Sequence, residues 1–177
     1  RGALGALAEE LEAAGCKLRL GPDYLEDLDQ DVIFRTPGLH SRFLEKARAG
    51  GSRITSEMEV FFDVCPCPIL AVTGSDGKTT TTTIIARLLQ AAGHTVHLGG
   101  NIGRPLLSGA DAIAPSDWAV VELSSFQLLT IKKSPHIAVL TNLAPNHLDI
   151  HTDMDEYIRA KAAVLDYQGP GDRAVCN

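Results

Sequence analysis

Hydrophobic residues along the chain follow two alternating spacings, which predicts alternating helices and strands. Leu4, Leu7 and Leu11 recur at helical spacing, and Gly15 follows where a helix would be capped. A helix over residues 2–14 is therefore predicted. In the rest of the first third of the chain, strands are predicted at 17–20, 32–34 and 53–55, and helices at 41–49 and from the capping Ser56 onward.

The alternation restarts after the segment CPCP at residues 65–68. Proline fixes its own backbone and biases the preceding residue toward extended conformations, so this segment is predicted to be a domain boundary. Beyond it, strands are predicted at 69–73, 95–98, 118–123, 136–140 and 173–176, and helices at 78–92 and 154–165. Short apolar runs separated by helices indicate an α/β fold with parallel sheets flanked by helices.

Composition limits the partners of the chain. The 177 residues carry a formal net charge of -6, which gives no basic field for nucleic acid. No apolar run approaches the ~18 residues that span a bilayer, so no membrane contact is expected and the cytoplasm is the predicted location. The four cysteines have no metal-ligand spacing and are interpreted as free thiols.

Because the chain begins with Arg1 and stops at Asn177, directly after a strand-like run, we interpret it as a fragment.

The strongest motif is GSDGKTT at residues 74–80, between a predicted strand and a predicted helix. Glycine-loop amides can converge on phosphate oxygens, Lys78 supplies a cation, and Thr79 offers a hydroxyl to magnesium. The pattern departs from GxxxxGK[ST], because Val72 stands at the first glycine position. The simpler alternative is an ordinary glycine turn. The predicted ATP-binding residues are Gly74, Ser75, Asp76, Gly77, Lys78, Thr79 and Thr80.

Three further positions carry candidate chemistry. Glu122 ends a predicted parallel strand, where it is either a second ligand of the metal at Thr79 or a solvated acid. His147 and Asp149 follow another strand, with His151 nearby. They could suggest zinc, but we favour a histidine that donates to anionic oxygens or is one ligand of a hard metal whose other ligands are oxygens. A surface histidine without a role is the simpler explanation for His151.

Lys161 lies four residues after Tyr157 on the same helical face. Taken alone, such a lysine is most often a solvated surface charge.

Taken together, four motifs resemble the Mur ligases in order and spacing. These are GSDGKTT, GNIGRPLL at 100–107, ELSSFQL at 122–128, and NHLDIH with YIRAK at 157–161. The resemblance implies a partial Rossmann-like domain for a UDP substrate at 1–66 and a partial central ATP-binding domain at 67–177, without the C-terminal domain. ELSSFQL with GNIG resembles the family member that adds D-glutamate to UDP-N-acetylmuramoyl-L-alanine.

The resemblance also implies roles for individual residues. Lys78 resembles the lysine at the transferred phosphate, and Thr79 and Glu122 resemble the ligands of a first magnesium. His147 resembles a ligand of a second magnesium, and Lys161 resembles a lysine that becomes carbamylated. The residues that resemble contacts of the UDP-muramoyl substrate are Gly38, Asn101, Ser124 and Gln127.

The implied function is an ATP-dependent ligase of peptidoglycan precursor synthesis that uses ATP and Mg2+ through an acyl phosphate and acts as a monomer. The fragment alone is expected to be inactive. One alternative is a Mur-type ligase for another amino acid. Another is a non-catalytic nucleotide-binding module, which would need neither His147 nor Lys161.

Overall fold

The computed structural model describes residues 5–144 and 153–177, in which seven strands form two parallel sheets. The strands are β1 (Val32–Phe34), β2 (Arg53–Thr55), β3 (Ile69–Thr73), β4 (Val96–Gly100), β5 (Trp118–Glu122), β6 (Ile137–Leu140) and β7 (Arg173–Cys176). The α-helices are α1 (Gly5–Ala13), α2 (Glu45–Ala49), α3 (Glu57–Val64), α4 (Lys78–Ala91), α5 (Ser125–Leu128) and α6 (Met154–Asp166). The predicted α/β class with parallel sheets and flanking helices is confirmed.

The larger sheet has the order β4-β5-β3-β6-β7, and every neighbouring pair is parallel. All five residues of β3 are buried, because β3 is the central strand and its uninterrupted apolar run can be covered on both faces. The smaller sheet is the parallel pair β1-β2. Parallel strands end at the same edge, so the loops after β3, β4, β5 and β6 meet at one edge of the larger sheet.

Two apolar clusters cover the faces of the larger sheet. Alternate residues of β3 enter different clusters, with Ala71 in one and Val72 in the other, because successive strand side chains point to opposite faces. Phe61 of α3 packs in the same cluster as Ala71. The predicted boundary at residue 66 lies between the smaller sheet and the larger sheet. Helix α3, which precedes this boundary, packs against the larger sheet. The division of the chain into 1–66 and 67–177 stays a prediction.

Most predicted elements occur at the predicted residues, with one clear exception. Residues 17–20 form no strand and are mostly exposed. Their apolar alternation predicted a half-buried strand, but no described strand pairs with this segment, and Leu20 is 46% exposed. Alternation is a weak signal here because a strand also needs a neighbour for its backbone hydrogen bonds.

Helix ends follow the local rules more closely. The amide of Cys16 donates to the carbonyl of Leu11 at 2.9 Å, and the amide of Gly15 donates to Glu12 at 3.0 Å. Gly15 has φ 85°, so this glycine ends α1 in a Schellman motif as its position predicted. The helix predicted at 41–49 divides into a 3₁₀ turn (Ser41–Leu44) and α2. A second 3₁₀ turn (Leu107–Ala112) and the four-residue α5 were not predicted.

Candidate active site

The glycine loop joins the central strand β3 to helix α4. Gly77 caps α4 with φ 77°, and Gly74 has φ 143°, a conformation that residues with a Cβ rarely adopt. A Cβ on Gly74 would lie 1.9 Å from Oγ1 of Thr141 and 3.1 Å from backbone atoms of Asn142. Glycine is therefore required at Gly74, and the loop takes its shape from contact with the segment after β6.

Two residues of that segment hold the loop and were not predicted as site residues. The side-chain oxygen Oδ1 of Asn142 accepts hydrogen bonds from the amides of Ser75 at 3.1 Å and Asp76 at 2.9 Å. Thr141 Oγ1 donates to the carbonyl of Asp76 at 2.7 Å. Their only sequence signal was their place directly after an apolar strand, at the edge where parallel strands end.

Thr79, Glu122 and Asn101 form a hydrogen-bonded group beside the loop. Thr79 Oγ1 donates to Glu122 Oε2 at 2.7 Å, and Asn101 Nδ2 donates to Glu122 Oε1 at 2.9 Å. Glu122 is only 2% exposed. The Thr79 hydroxyl and the Glu122 carboxylate are adjacent hard oxygen donors, which is the donor set that Mg2+ prefers. These side chains therefore fit a magnesium site that nucleotide oxygens would complete.

Two lysines approach the loop from different elements. Lys78 Nζ donates to the carbonyl of Ser75 at 2.9 Å. Lys161 Nζ, reaching from α6, donates to the carbonyl of Gly74 at 2.8 Å and lies 4.6 Å from the ring centre of Tyr157. Lys161 is 2% exposed. Burial, and secondarily the charge of Lys78, lowers the pKa of Lys161 to about 8. Lys161 is therefore a buried amine at the loop, unlike an ordinary surface lysine.

Tyr157 connects α6 to the loop. Its hydroxyl lies 2.8 Å from Oγ of Ser75, and its side chain is 1% exposed. The spacing of Tyr157 and Lys161 by one helical turn places both side chains at the loop. The sequence had placed Tyr157 and Lys161 on one helical face, and the hydrogen bond between Tyr157 and Ser75 was not predicted.

A cavity of about 310 Å³ lies beside these groups and brings together residues that are far apart in the sequence. The predicted site residues in its lining are Gly38, Lys78, Asn101, Ser124 and Lys161. The turn after β1 and Lys78, at the end of the phosphate loop, thus line the same cavity. A ligand held there would contact both parts of the chain.

A second cavity, of about 530 Å³, adjoins the first at Asn101. Gln127 lines it, together with Phe34, Thr36 and Ile102. Gln127 also forms a capping box with Ser124, whose amide and hydroxyl both donate to Gln127 Oε1 at 3.0 Å. Part of the role of Ser124 and Gln127 is therefore to begin helix α5.

Some predicted residues lie away from these contacts or outside the described residues. Thr80 is exposed on the first turn of α4. His147, Asp149 and His151 lie outside the described residues. Across residues 5–144 and 153–177, no three His, Cys, Asp or Glu side chains are grouped closely enough to hold a metal ion, and no helix is long and apolar enough to cross a membrane.

We predict that Gly100→Ala destabilises the protein by roughly 2–4 kcal/mol, as expected for a strained left-handed residue with a steric overlap. Gly100 has φ 94°, and an added Cβ would lie 2.2 Å from the backbone oxygen of Glu122. The strand carrying Glu122 would have to move. Chemical denaturation of the wild-type protein and the variant measures the loss. Gly109→Ala is the control, because its Cβ would meet nothing within 4 Å. Equal stability of the Gly100 and Gly109 variants would contradict the prediction.

The strand, glycine loop, lysine and helix in this arrangement define a phosphate-loop α/β protein. Residues 72–177 match the Mur ligase middle domain, which is more than half of the chain. The chain belongs to the Mur ligase family.

Known proteins similar to the chain agree with this assignment. The UDP-N-acetylmuramoylalanine--D-glutamate ligase of Acetivibrio thermocellus is 50% identical, with 98% of this chain and 38% of the relative covered. The ligase of the same name from Clostridium kluyveri is 51% identical, with 98% of this chain and 39% of the relative covered. The chain thus spans about two fifths of the length of these relatives.

Two solved structures share the fold. One is the UDP-N-acetylmuramate:L-alanyl-gamma-D-glutamyl-meso-diaminopimelate ligase of Neisseria meningitides, with a TM-score of 0.60, 22% identity, and coverage of 98% of this chain and 60% of that chain. The other is the MurF ligase of Thermotoga maritima in complex with ADP, with a TM-score of 0.52, 20% identity, and coverage of 82% of this chain and 42% of that chain.

Proposed function

We propose that the chain is part of an ATP-dependent ligase that adds D-glutamate to UDP-N-acetylmuramoyl-L-alanine, a step of peptidoglycan precursor synthesis. The observation that carries the proposal is the shared cavity, where Lys78 and Lys161 face Gly38 and Ser124. A phosphate loop beside a second binding surface suits a reaction between ATP and another substrate. The choice of D-glutamate rests on the relatives that are about half identical over nearly all of this chain.

The chemistry follows from the weakness of a carboxylate as an electrophile. Transfer of the terminal phosphate of ATP to the alanyl carboxylate forms an acyl phosphate and releases ADP. The amine of D-glutamate then attacks the acyl carbon, the amide bond forms, and inorganic phosphate leaves with the pair of electrons from the broken carbon–oxygen bond. In the first step two anions approach each other, so positive charge at the transferred phosphate is the main requirement.

Three side chains supply what the first step needs. Lys78 begins α4 directly after the glycine loop, and in this proposal its ammonium contacts the terminal phosphates of ATP. Thr79 and Glu122 would hold Mg2+, which supplies charge neutralisation of the phosphate oxygens. Glu122 needs no large rearrangement for this, because Asn101 already fixes its other carboxylate oxygen.

We assign Lys161 to a second magnesium site, together with His147, which lies outside the described residues. A free ammonium repels a cation, whereas a carbamate offers anionic oxygens. The carbamate forms when the neutral amine adds to carbon dioxide: a nitrogen–carbon bond forms and one proton leaves. Burial of Lys161 supports this role, because burial and, secondarily, the charge of Lys78 lower the pKa of Lys161 and so favour the neutral amine.

We assign the muramoyl substrate to the two adjoining cavities. Gly38, Asn101 and Ser124 line the cavity nearer to the phosphate loop, and Gln127 lines the larger one. In this assignment residues 1–66 contribute a partial domain for the UDP substrate, and residues 67–177 contribute a partial ATP-binding domain. The adjoining cavities leave room for an extended ligand whose carboxylate end reaches Lys78 and Lys161.

The test is an assay of the full-length protein with ATP, magnesium and UDP-N-acetylmuramoyl-L-alanine. We expect ADP release and a new amide product with D-glutamate, and at least about a hundredfold less product with L-alanine, a diamino acid or a dipeptide, because each would leave polar groups of the site unpaired. Equal turnover with another amino acid would identify a different Mur-type ligase. Nucleotide binding without any amide product would indicate a non-catalytic nucleotide-binding module.

A further inference from the structure

Arg35 is a buried arginine that none of the proposed catalytic steps uses. It follows β1 directly and is only 4% exposed. Arginine is almost never buried to this extent unless its guanidinium group is held by acceptors. The contacts of Arg35 therefore indicate why it is there.

The guanidinium group of Arg35 joins two segments that lie about half the chain apart. Its Nη1 donates to the carbonyl of Leu39 at 3.1 Å, in the turn that follows β1. Its Nη2 donates to the carbonyl of Phe126 at 2.8 Å and to Oγ1 of Thr130 at 2.9 Å. One rigid, planar group thus links the turn at residues 36–39 to the segment at residues 124–130.

The charge environment of Arg35 argues against a purely stabilising role. Burial lowers the pKa of Arg35, and the charge of Glu59 only partly offsets this effect. Glu59 receives a hydrogen bond from Thr130, and burial raises the pKa of Glu59. In residues 5–144 and 153–177, Nε of Arg35 is the only buried side-chain nitrogen or oxygen without a hydrogen-bond partner. An apolar side chain would avoid these desolvation penalties, so the benefit of arginine is its geometry.

The two segments that Arg35 joins both line the cavity beside the phosphate loop, and Arg35 itself lines the larger, adjoining cavity. Pro37 and Gly38 form one wall, and Ser124, Ser125 and Phe126 form the other. We propose that Arg35 is a positioning residue, which sets the distance between these walls and thereby orders the binding surface for the UDP-muramoyl substrate. This role rests on the proposed function, since it assigns the muramoyl substrate to that cavity.

A lysine cannot reproduce this link. The guanidinium group presents donors in a fixed fork that reaches Leu39 and Phe126 at once, whereas an ammonium group is a single point. Arg35→Lys keeps the positive charge but lacks the fork. This variant therefore separates positioning of the two walls from simple attraction of an anionic substrate. The nearby pair His40 Nε2 and Glu156 Oε1, 3.5 Å apart, joins the end of this turn to α6 and not to residues 124–130.

The experiment compares Arg35→Met and Arg35→Lys with the wild type in the full-length protein. For both variants we expect KM for UDP-N-acetylmuramoyl-L-alanine to rise about tenfold or more, since a displaced wall must be ordered by the substrate. KM for ATP should change by less than about twofold, because the phosphate loop is held by contacts from the segment after β6 and not by Arg35. Arg42→Met is the matched control, because Arg42 is exposed and lies over the ring of Phe43.

Backbone hydrogen exchange without substrate provides a second readout. In Arg35→Met, amides in residues 36–39 and 124–130 should exchange faster, while those of β3 keep their protection. Thr130→Val removes one acceptor of Arg35, together with the hydrogen bond to Glu59, with little change of shape. It should show the same pattern more weakly, and it keeps the test available should Arg35→Met not fold. Wild-type KM in Arg35→Lys, or unchanged exchange in both segments of Thr130→Val, overturns the proposal. If the wild-type protein does not ligate D-glutamate, the proposed function fails, while the exchange measurement still tests the link made by Arg35.

Discussion

Replacing Lys78 with alanine in the full-length protein is expected to lower ATP-dependent ligation about a thousandfold or more, the range seen when a cation at a transferred phosphoryl group is removed. Lys78 begins α4 and lies at the loop whose glycines shape the phosphate site. Without this cation, the charge that develops on the phosphate during transfer is less well balanced. The loss should therefore appear in kcat and in acyl phosphate formation.

Binding of the UDP substrate should change much less, by less than about fivefold, because Lys78 acts on the phosphates of ATP and its partial exposure screens its attraction for the substrate carboxylate. Calorimetric titrations with each substrate separate the two effects. Lys132→Ala, on an exposed lysine remote from the loop, serves as the control. Equal losses of ATP and UDP-substrate binding in Lys78→Ala would contradict the assigned role.

Lys161→Ala in the full-length protein is expected to lose activity by about a hundredfold or more, as when a group that orients a catalytic metal is removed. With a pKa of about 8, a large fraction of the Lys161 amines is neutral near pH 8 and able to take up carbon dioxide. The resulting carbamate would supply anionic oxygens beside the phosphate loop. Alanine supplies none.

Acetate gives a direct test of the anionic form. Removal of the Lys161 side chain leaves space between the Gly74 carbonyl and the Tyr157 ring, and a small carboxylate that enters it should restore part of the activity. Chloride at the same ionic strength should not. Arg159→Ala, on the exposed face of the same helix, is the matched control. Near wild-type turnover of Lys161→Ala at saturating magnesium would show that Lys161 has no metal-related role.

The order of elements could be predicted from the sequence, because hydrophobic spacing and caps are local properties. The apolar runs at 69–73 and 173–176 predicted β3 and β7 at their observed residues, and Ser56 caps α3 as expected. The strand predicted at 17–20 was wrong because pairing depends on a neighbour that local alternation does not reveal. The four-residue α5 was missed because so short a helix has no periodicity to detect.

By itself, the sequence determined the α/β class, the phosphate loop and most of the candidate side chains, since strand, glycine loop, Lys78 and Thr79 are contiguous. Only the tertiary structure decided which distant side chains meet. The parallel sheet places Glu122 against Thr79, α6 carries Lys161 under the loop, and Arg35 joins two walls of one cavity. These contacts depend on strand order and on burial. Both arise from packing between segments far apart in the chain, so no local pattern specifies them.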